Sequence, residues 1–176
     1  MLTEPLPNVL DVRKASARGV SISGTLKPLD LPRFKALLAD ETGEIRADLA
    51  FSRDEENRPV VQVEITAEVA VICQRCLKSM PLGLDAENTL GIVWNDDQAK
   101  HLPRHLDPLI VPEDEGCNLW ELVEDELMLA LPSFSYHDTQ DCKEILSGYT
   151  GQGEEEEAGA ERPNPFDVLA QLKSDD

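Results

Sequence analysis

Two short-spaced pairs of soft metal donors stand out in the chain: Cys73 and Cys76, three residues apart, and His137 and Cys142, five apart. Thiolate sulfur and imidazole nitrogen are the donors that tetrahedral zinc takes in structural sites, and short spacing eases the gathering of four of them. Cys73, Cys76, His137 and Cys142 are therefore a candidate structural zinc site. With four protein ligands such a site is closed to substrate. Two other readings stay open. Free cysteines are often small buried hydrophobes, and C-x-x-C can be a redox pair. Thioredoxin-like pairs belong to a βαβ pattern, whereas this one follows a long β-type run and precedes another. A redox or metal-handling protein therefore ranks last. Cys117 lies beside the start of a predicted helix and reads as a packing residue. His101 and His105 are four apart, but Pro103 between them argues against a helix that would bring them together.

Carboxylates form the second group. At 100° per residue, a helix over Asn118–Leu131 gathers Leu122, Val123, Leu127 and Ala130 into an apolar stripe, and Glu126 falls inside it. Glu121, Glu124 and Asp125 fall on the solvent side. A carboxylate facing a core costs several kcal/mol unless paired, so Glu126 should have a partner. Arg75 is the expected one; the alternative is a basic group from another molecule. Glu121, Glu124, Asp125 and Glu126 are accordingly candidate partner-binding residues. Near the end of the chain, Phe166, Leu169, Ala170 and Lys173 share one short helical face. A helix that short is marginal unless docked. Phe166 and Leu169 would anchor it either on its own domain or in a partner's groove.

Composition bounds the function. The chain has 176 residues and a net charge of −19, which runs against generic binding of duplex nucleic acid. The charge is uneven, at +3 over 1–38, −15 over 39–140 and −7 over 141–176. A negative field of this size attracts a basic partner. The N-terminal bases Arg13, Lys14, Arg18, Lys27, Arg33 and Lys35, with Arg75, are the residues that could touch RNA. Aromatic residues make up 5% of the chain, so base-stacking material is scarce. No nucleotide-binding loop, nucleophile elbow or zinc-protease helix occurs, and no residue pair is singled out for acid–base work. The expectation is a non-enzymatic protein. With no signal-peptide pattern, no membrane span and no disulfide framework, it is expected to be cytoplasmic.

These residues need elements to position them. Arg13–Arg18 predicts a short helix stopped by Gly19, and 20–26 a strand. Asp30 is a predicted N-cap, with Pro32 in the first turn of a helix reaching about Ala39. Strict alternation predicts strands at 45–51 and 61–71, the second running directly into Cys73, and partial alternation another at 81–94. Residues 95–109 are polar and proline-punctuated, hence mostly loop. Asn118 and Glu121 start the next helix as a capping-box variant, and Pro132 ends it. The apolar share of 41% is low, and 148–163 holds four consecutive glutamates among glycines. The expected fold is α+β: an antiparallel, barrel-like β-sheet with a C-terminal amphipathic helix packed on it and a disordered acidic tail. The expected plan is a single α+β domain over 1–147, an acidic linker over 148–163 and a closing motif over 164–176.

The ordered set of Cys73-Gln74-Arg75-Cys76, Asp97-Gln98-Ala99 with Leu102-Pro103, and Asp107-Pro108-Leu109-Ile110 resembles the bacterial YceD family. So does Val123-Glu124-Asp125-Glu126-Leu127-Met128-Leu129-Ala130-Leu131-Pro132, followed by His137, Cys142 and the closing run from Asn164 to Lys173. The resemblance covers about Val60 to Lys173. Ser135 departs from the family pattern, which has proline there, and the glutamates at 154–157 look like an insertion of this chain. The family is named for accumulation of large-subunit (23S) ribosomal RNA, so the resemblance implies a role in ribosome biogenesis and carries over no catalytic residue. Its genes typically neighbour that of a small basic large-subunit ribosomal protein, bL32, which the resemblance makes a candidate partner. Charge and resemblance together rank an acidic factor that binds a basic ribosomal protein or biogenesis factor first. Direct binding of precursor 23S rRNA ranks second.

Overall fold

Eleven elements make up the first part of the chain, and alternation, capping and proline punctuation account for the longer ones. In chain order they are β1 (Val9–Leu10), α1 (Val12–Arg18), β2 (Ser21–Leu26), α2 (Pro32–Lys35), β3 (Gly43–Arg53), β4 (Pro59–Ile72), β5 (Ser79–Val93), α3 (Asp96–Ala99), β6 (Asp107–Ile110), β7 (Cys117–Asn118) and α4 (Leu119–Ala130); α5 (Gln140–Glu144) follows. The computed structural model describes residues 4–113 and 115–145. It divides into two units, Met1–His137 and Asp138–Asp176, with α5 in the second. The expected linker at 148–163 and closing motif at 164–176, with Phe166 and Leu169, lie outside the described residues.

Strand β4 sets the frame. Val61, Val63, Ile65, Ala67, Val69 and Val71 are buried, while Gln62, Glu64, Thr66 and Glu68 face water. It pairs antiparallel with β3 and β5, so that Ile45, Ala47, Leu49 and Phe51 bury on the same side. Leu119, Leu122, Val123 and Leu127 of α4 and Val12 and Ala15 of α1 complete that core. No described helix is long and apolar enough to cross a membrane.

The fold is α+β, but the sheet is not a barrel. Its order is β2-β3-β4-β5-β6 and it stays open. Closure would require β2 to pair with β6. Instead residues 4–6 lie along β2, where the Leu6 amide donates to the Thr25 carbonyl at 3.2 Å and the Thr25 amide to the Glu4 carbonyl at 3.1 Å. The approach needs glycine at 24, where a Cβ would meet the Leu6 backbone at 2.6 Å. At the other edge β6 runs parallel to β5. A parallel neighbour needs a crossover of about a dozen residues, and 94–106 provides it. The segment expected as mostly loop therefore holds α3, capped by the Asn95 side chain, and the start of β6, a strand of four residues with proline at its second position, too short for alternation to show.

Helix ends show which expectations were local. Gly19 adopts φ 64° and closes α1, and the Asn118 side chain accepts from the Trp120 and Glu121 amides at the start of α4. The helix expected to run from Asp30 to Ala39 is only Pro32–Lys35. Asp30 bonds back to the Lys27 amide, and Leu31, which has no side-chain acceptor, precedes the helix. The missing cap comes from far away. Glu124 Oε1 accepts from the Arg33 amide at 2.6 Å and the Phe34 amide at 3.1 Å, and Oε2 accepts from Arg33 Nε at 2.7 Å. Glu124 was expected on the solvent side; it is 2% exposed. Burial alone would raise its pKa, but the two amides and the guanidinium outweigh that and hold it below the ordinary carboxylate value.

Replacing Glu124 with Gln should therefore lower stability by about 2 kcal/mol at pH 7, because it breaks a buried ion pair with one half-exposed partner. A carboxylate held low in the fold stabilises above its unfolded pKa and loses that contribution as pH falls through the folded one. Denaturant melts should show the wild-type advantage at pH 7 shrinking toward pH 3.

Candidate functional site

Strand β4 ends at Ile72 and β5 begins at Ser79, so Cys73–Lys78 is the turn joining the two longest strands. The Cys73 amide donates to the Lys78 carbonyl at 2.9 Å and the Leu77 amide to the Cys73 carbonyl at 2.8 Å, with Leu77 in the left-handed region at φ 59°. Pro132 halts α4, and Leu131 is already extended with ψ 127°. The chain then passes the turn, where the Gln74 amide donates to the Ser135 carbonyl at 2.9 Å. That docking delivers His137. Its Nδ1 lies 3.3 Å from Cys76 Sγ, and its amide donates to Cys73 Sγ at 3.5 Å.

The donor atoms of Cys73, Cys76 and His137 lie within 4.8 Å of one another. Bond lengths of about 2.0–2.3 Å around tetrahedral zinc imply donor separations of roughly 3.3–3.8 Å, so a small inward shift suffices and these residues could hold a metal ion. The fourth expected ligand, Cys142, belongs to α5 in the second unit.

Two buried thiols show how environment divides one residue type. Burial works against the Cys73 thiolate, yet the amides of Cys76, His137 and Arg75 aimed at the sulfur bring its pKa down to about 5. Burial, aided by Glu121, pushes Cys117 up to about 11. Cys117 pairs with Leu10 between β7 and β1 and is a packing residue.

The expected Glu126–Arg75 pair does not form. Glu126 is buried and accepts from Asn88 Nδ2 at 3.3–3.4 Å, and the same amide reaches Asp107 at 3.2 Å. Arg75 instead lies 4.9 Å over the Tyr136 ring, which is parallel to Phe134 at 6.4 Å. Glu121 and Asp125 are exposed, and Asp125 pairs with Arg33 at 2.8 Å.

The N-terminal bases do not gather into one patch of free charge. Arg13 donates to the carbonyls of Val111, Pro112 and Glu113 and lies 5.0 Å over Trp94. Lys14 pairs with Asp11, Lys35 with Glu41, and Arg33 with Glu124. Arg18 and Lys27 are exposed.

Sequence reasoning missed a block of carboxylates that strand register creates. On the solvent side of the sheet, Asp48 stands opposite Glu64, and Glu64 opposite Glu87. Glu44 stands opposite Glu68, and Asp85 opposite Thr66. Arg46, bonded to Asp48 at 3.4 Å, is the one base in this block among the described residues. Like charges directly opposite on a sheet are destabilising. The alternation that predicted the strands already held these carboxylates; only their pairing across strands was missing.

An open five-stranded sheet with a Cys–Cys–His turn at the end of its long hairpin defines the class. The family model for the large ribosomal RNA subunit accumulation protein YceD matches residues 61–173. The chain belongs to the YceD family. A relative from Haemophilus influenzae, named large ribosomal RNA subunit accumulation protein YceD, is 32% identical over 168 residues, covering 96% of each chain. No solved structure matches.

Burial raises the Glu126 pKa, the Asn88 hydrogen bond opposes this, and Asp107 and Asp125 raise it further. A carboxyl raised in the fold contributes stability at low pH and loses it as pH climbs through the folded pKa. Glu126→Gln should thus gain about 1 kcal/mol over wild type at pH 7, with the gain vanishing below the ordinary carboxylate range in paired denaturation curves.

Proposed function

We propose that this protein is a non-enzymatic ribosome-biogenesis factor that supports 23S rRNA accumulation by holding a basic large-subunit ribosomal protein, or a basic assembly partner, on the acidic face of its sheet. The carrying observation is the opposition of Asp48, Glu64 and Glu87 across three adjacent strands. Such a row weakens the free sheet, and a lysine- or arginine-rich partner relieves the repulsion while the field speeds encounter. The family and the name of the Haemophilus relative support the ribosomal setting, which is cytoplasmic. The bL32 protein is the candidate partner. Glu121 and Asp125 add exposed negative charge on α4. In this reading the cysteine–histidine cluster is structural and takes zinc, the ion that soft sulfur and imidazole donors suit.

Direct contact with precursor rRNA is the second reading. One observation favours it: Phe134 and Tyr136, 68% and 45% exposed, present parallel rings beside Arg75, an arrangement on which unpaired bases stack.

The test is a low-salt pull-down from bacterial lysate, with and without ribonuclease, comparing wild type with the Glu64→Gln, Glu68→Gln, Glu87→Gln variant. Wild type should retain a basic large-subunit protein after ribonuclease. The variant should retain about tenfold less, a loss of roughly 1.4 kcal/mol, while melting at a higher temperature. Loss of all captured protein with the RNA would overturn the first reading in favour of the second.

A further inference from the structure

The two sides of β5 are unequally covered. On one side β4 pairs with it from Ser79 to Gly91 without a bulge; on the other, β6 reaches only Leu90–Val93. Among the described residues no strand lies along the outer edge of 79–89. The register shows which backbone groups face that edge. The Cys73 amide donates to the Lys78 carbonyl, so that pair is hydrogen-bonded, and along an antiparallel ladder bonded and non-bonded pairs alternate. Met80, Leu82, Leu84, Ala86 and Asn88 therefore direct their backbone groups to β4, whereas Pro81, Gly83, Asp85 and Glu87 direct theirs outward. Val93 follows the same alternation: its carbonyl faces away from β4 and accepts from the Val111 amide, just past β6, at 2.8 Å. The free run has defined ends. Pro81 has no amide to offer, and proline inside a strand is confined to open edges and bulges. At the other end the Thr89 amide donates to Asn88 Oδ1 at 2.8 Å. Between them the exposed Gly83, Asp85 and Glu87 have amides that meet no acceptor among the described residues.

We propose that the outer edge of β5 over Leu82–Asn88 takes a further β-strand from a basic protein partner, an extended segment that alternates lysine or arginine with apolar residues. The proposal rests on the reading of the acidic face as the seat of a basic partner and adds how that partner is held. Main-chain hydrogen bonds to the amides and carbonyls of Gly83, Asp85 and Glu87 give such a strand its register. Charge selects it. Asp85 and Glu87 lie on the edge itself, with Glu64 and Glu68 on the same side of the neighbouring strand. A second copy of β5 laid antiparallel would set carboxylates against carboxylates, which destabilises a sheet; alternate basic residues would stand opposite them instead. A Cβ at Gly83 would meet nothing within 4 Å, so a long basic side chain opposite it can cross toward Glu68. On the other side of the strand Leu82 and Ala86 are half-buried against the core, which suits the apolar positions.

The experiment titrates the full chain at low salt with a labelled peptide alternating lysine and valine, and with one alternating glutamate and valine. Wild type should bind the first and not the second. Asp85→Asn removes a charge and keeps the edge amide; Asp85→Pro removes both while leaving the β4 pairing intact, and should bind about fivefold more weakly than Asp85→Asn. Hydrogen exchange on wild type, read by NMR, is independent of whether the proline variant folds. The amides of Gly83, Asp85 and Glu87 should exchange readily in the free chain and about tenfold more slowly with the lysine peptide bound. Peptide binding that leaves those three amides unprotected, or equal affinity in the two Asp85 variants, would overturn the edge. The acidic-face reading would survive that result if Glu64→Gln, Glu68→Gln, Glu87→Gln still lost the peptide. Slow exchange of the three amides in the free chain would mean that the edge is already covered, and would also overturn the proposal. Equal binding of the glutamate peptide would remove the charge selection on which both readings stand. A wild type that keeps its basic protein in the pull-down yet ignores the lysine peptide would sink the edge alone.

Discussion

The side-chain period of two along Pro59–Ile72 puts valines, Ile65 and Ala67 on one side of the sheet and Gln62, Glu64, Thr66 and Glu68 on the other. A slip of one residue against either neighbour would exchange those sets, so burial of the apolar face locks the register with β3 and β5. Two consequences follow from that one constraint. Carboxylates that alternate with the core residues are forced opposite one another, which gives the sheet its acidic face. The same strand ends where the hairpin must turn, which places Cys73 and Cys76 at its tip. The structure thus derives its charged surface and its candidate metal turn from the hydrophobic packing of a single element.

Glu124 and Glu126 sit two residues apart on α4, both buried, and their surroundings push them in opposite directions. Glu124 meets two backbone amides and a guanidinium, so its charge is favoured. Glu126 meets one amide side chain and the negative charges of Asp107 and Asp125. The first fastens α2 to α4 and supplies a helix cap that Leu31 lacks. The second leaves a carboxyl poorly compensated in the packed layer. A helical wheel, which assigns a single face to the core, could not separate them, because α4 is contacted on one side by strands and on another by α2.

Placement of the cysteines follows a similar logic. C-x-x-C was visible as a turn between strands, and His137 as a residue beyond a proline-stopped helix. Their meeting depends on the Ser133–His137 segment being held to the turn by the Gln74–Ser135 hydrogen bond. The amides that favour a Cys73 thiolate are those of the turn itself and of His137. Cys117 is also buried but faces no such donors. Burial alone therefore says little about thiol chemistry; the direction of nearby N–H groups decides it.

Local sequence determined the strand faces, the Gly19 and Asn118 caps, the stop at Pro132 and the pairing of donors three and five residues apart, because each depends on neighbours within about one turn or one pleat. It also carried enough ordered motif to place the chain in its family. Tertiary structure decided that the sheet stays open, since residues 4–6 occupy the β2 edge that a barrel would join to β6. It decided that Arg75 turns to Tyr136 rather than to Glu126, and that Glu124 caps amides about ninety residues away. It also decided that the carboxylates of β3, β4 and β5 share one block. Those outcomes rest on contacts between distant segments, whose partners are selected by the packing of the whole core and leave no periodic trace in either segment alone.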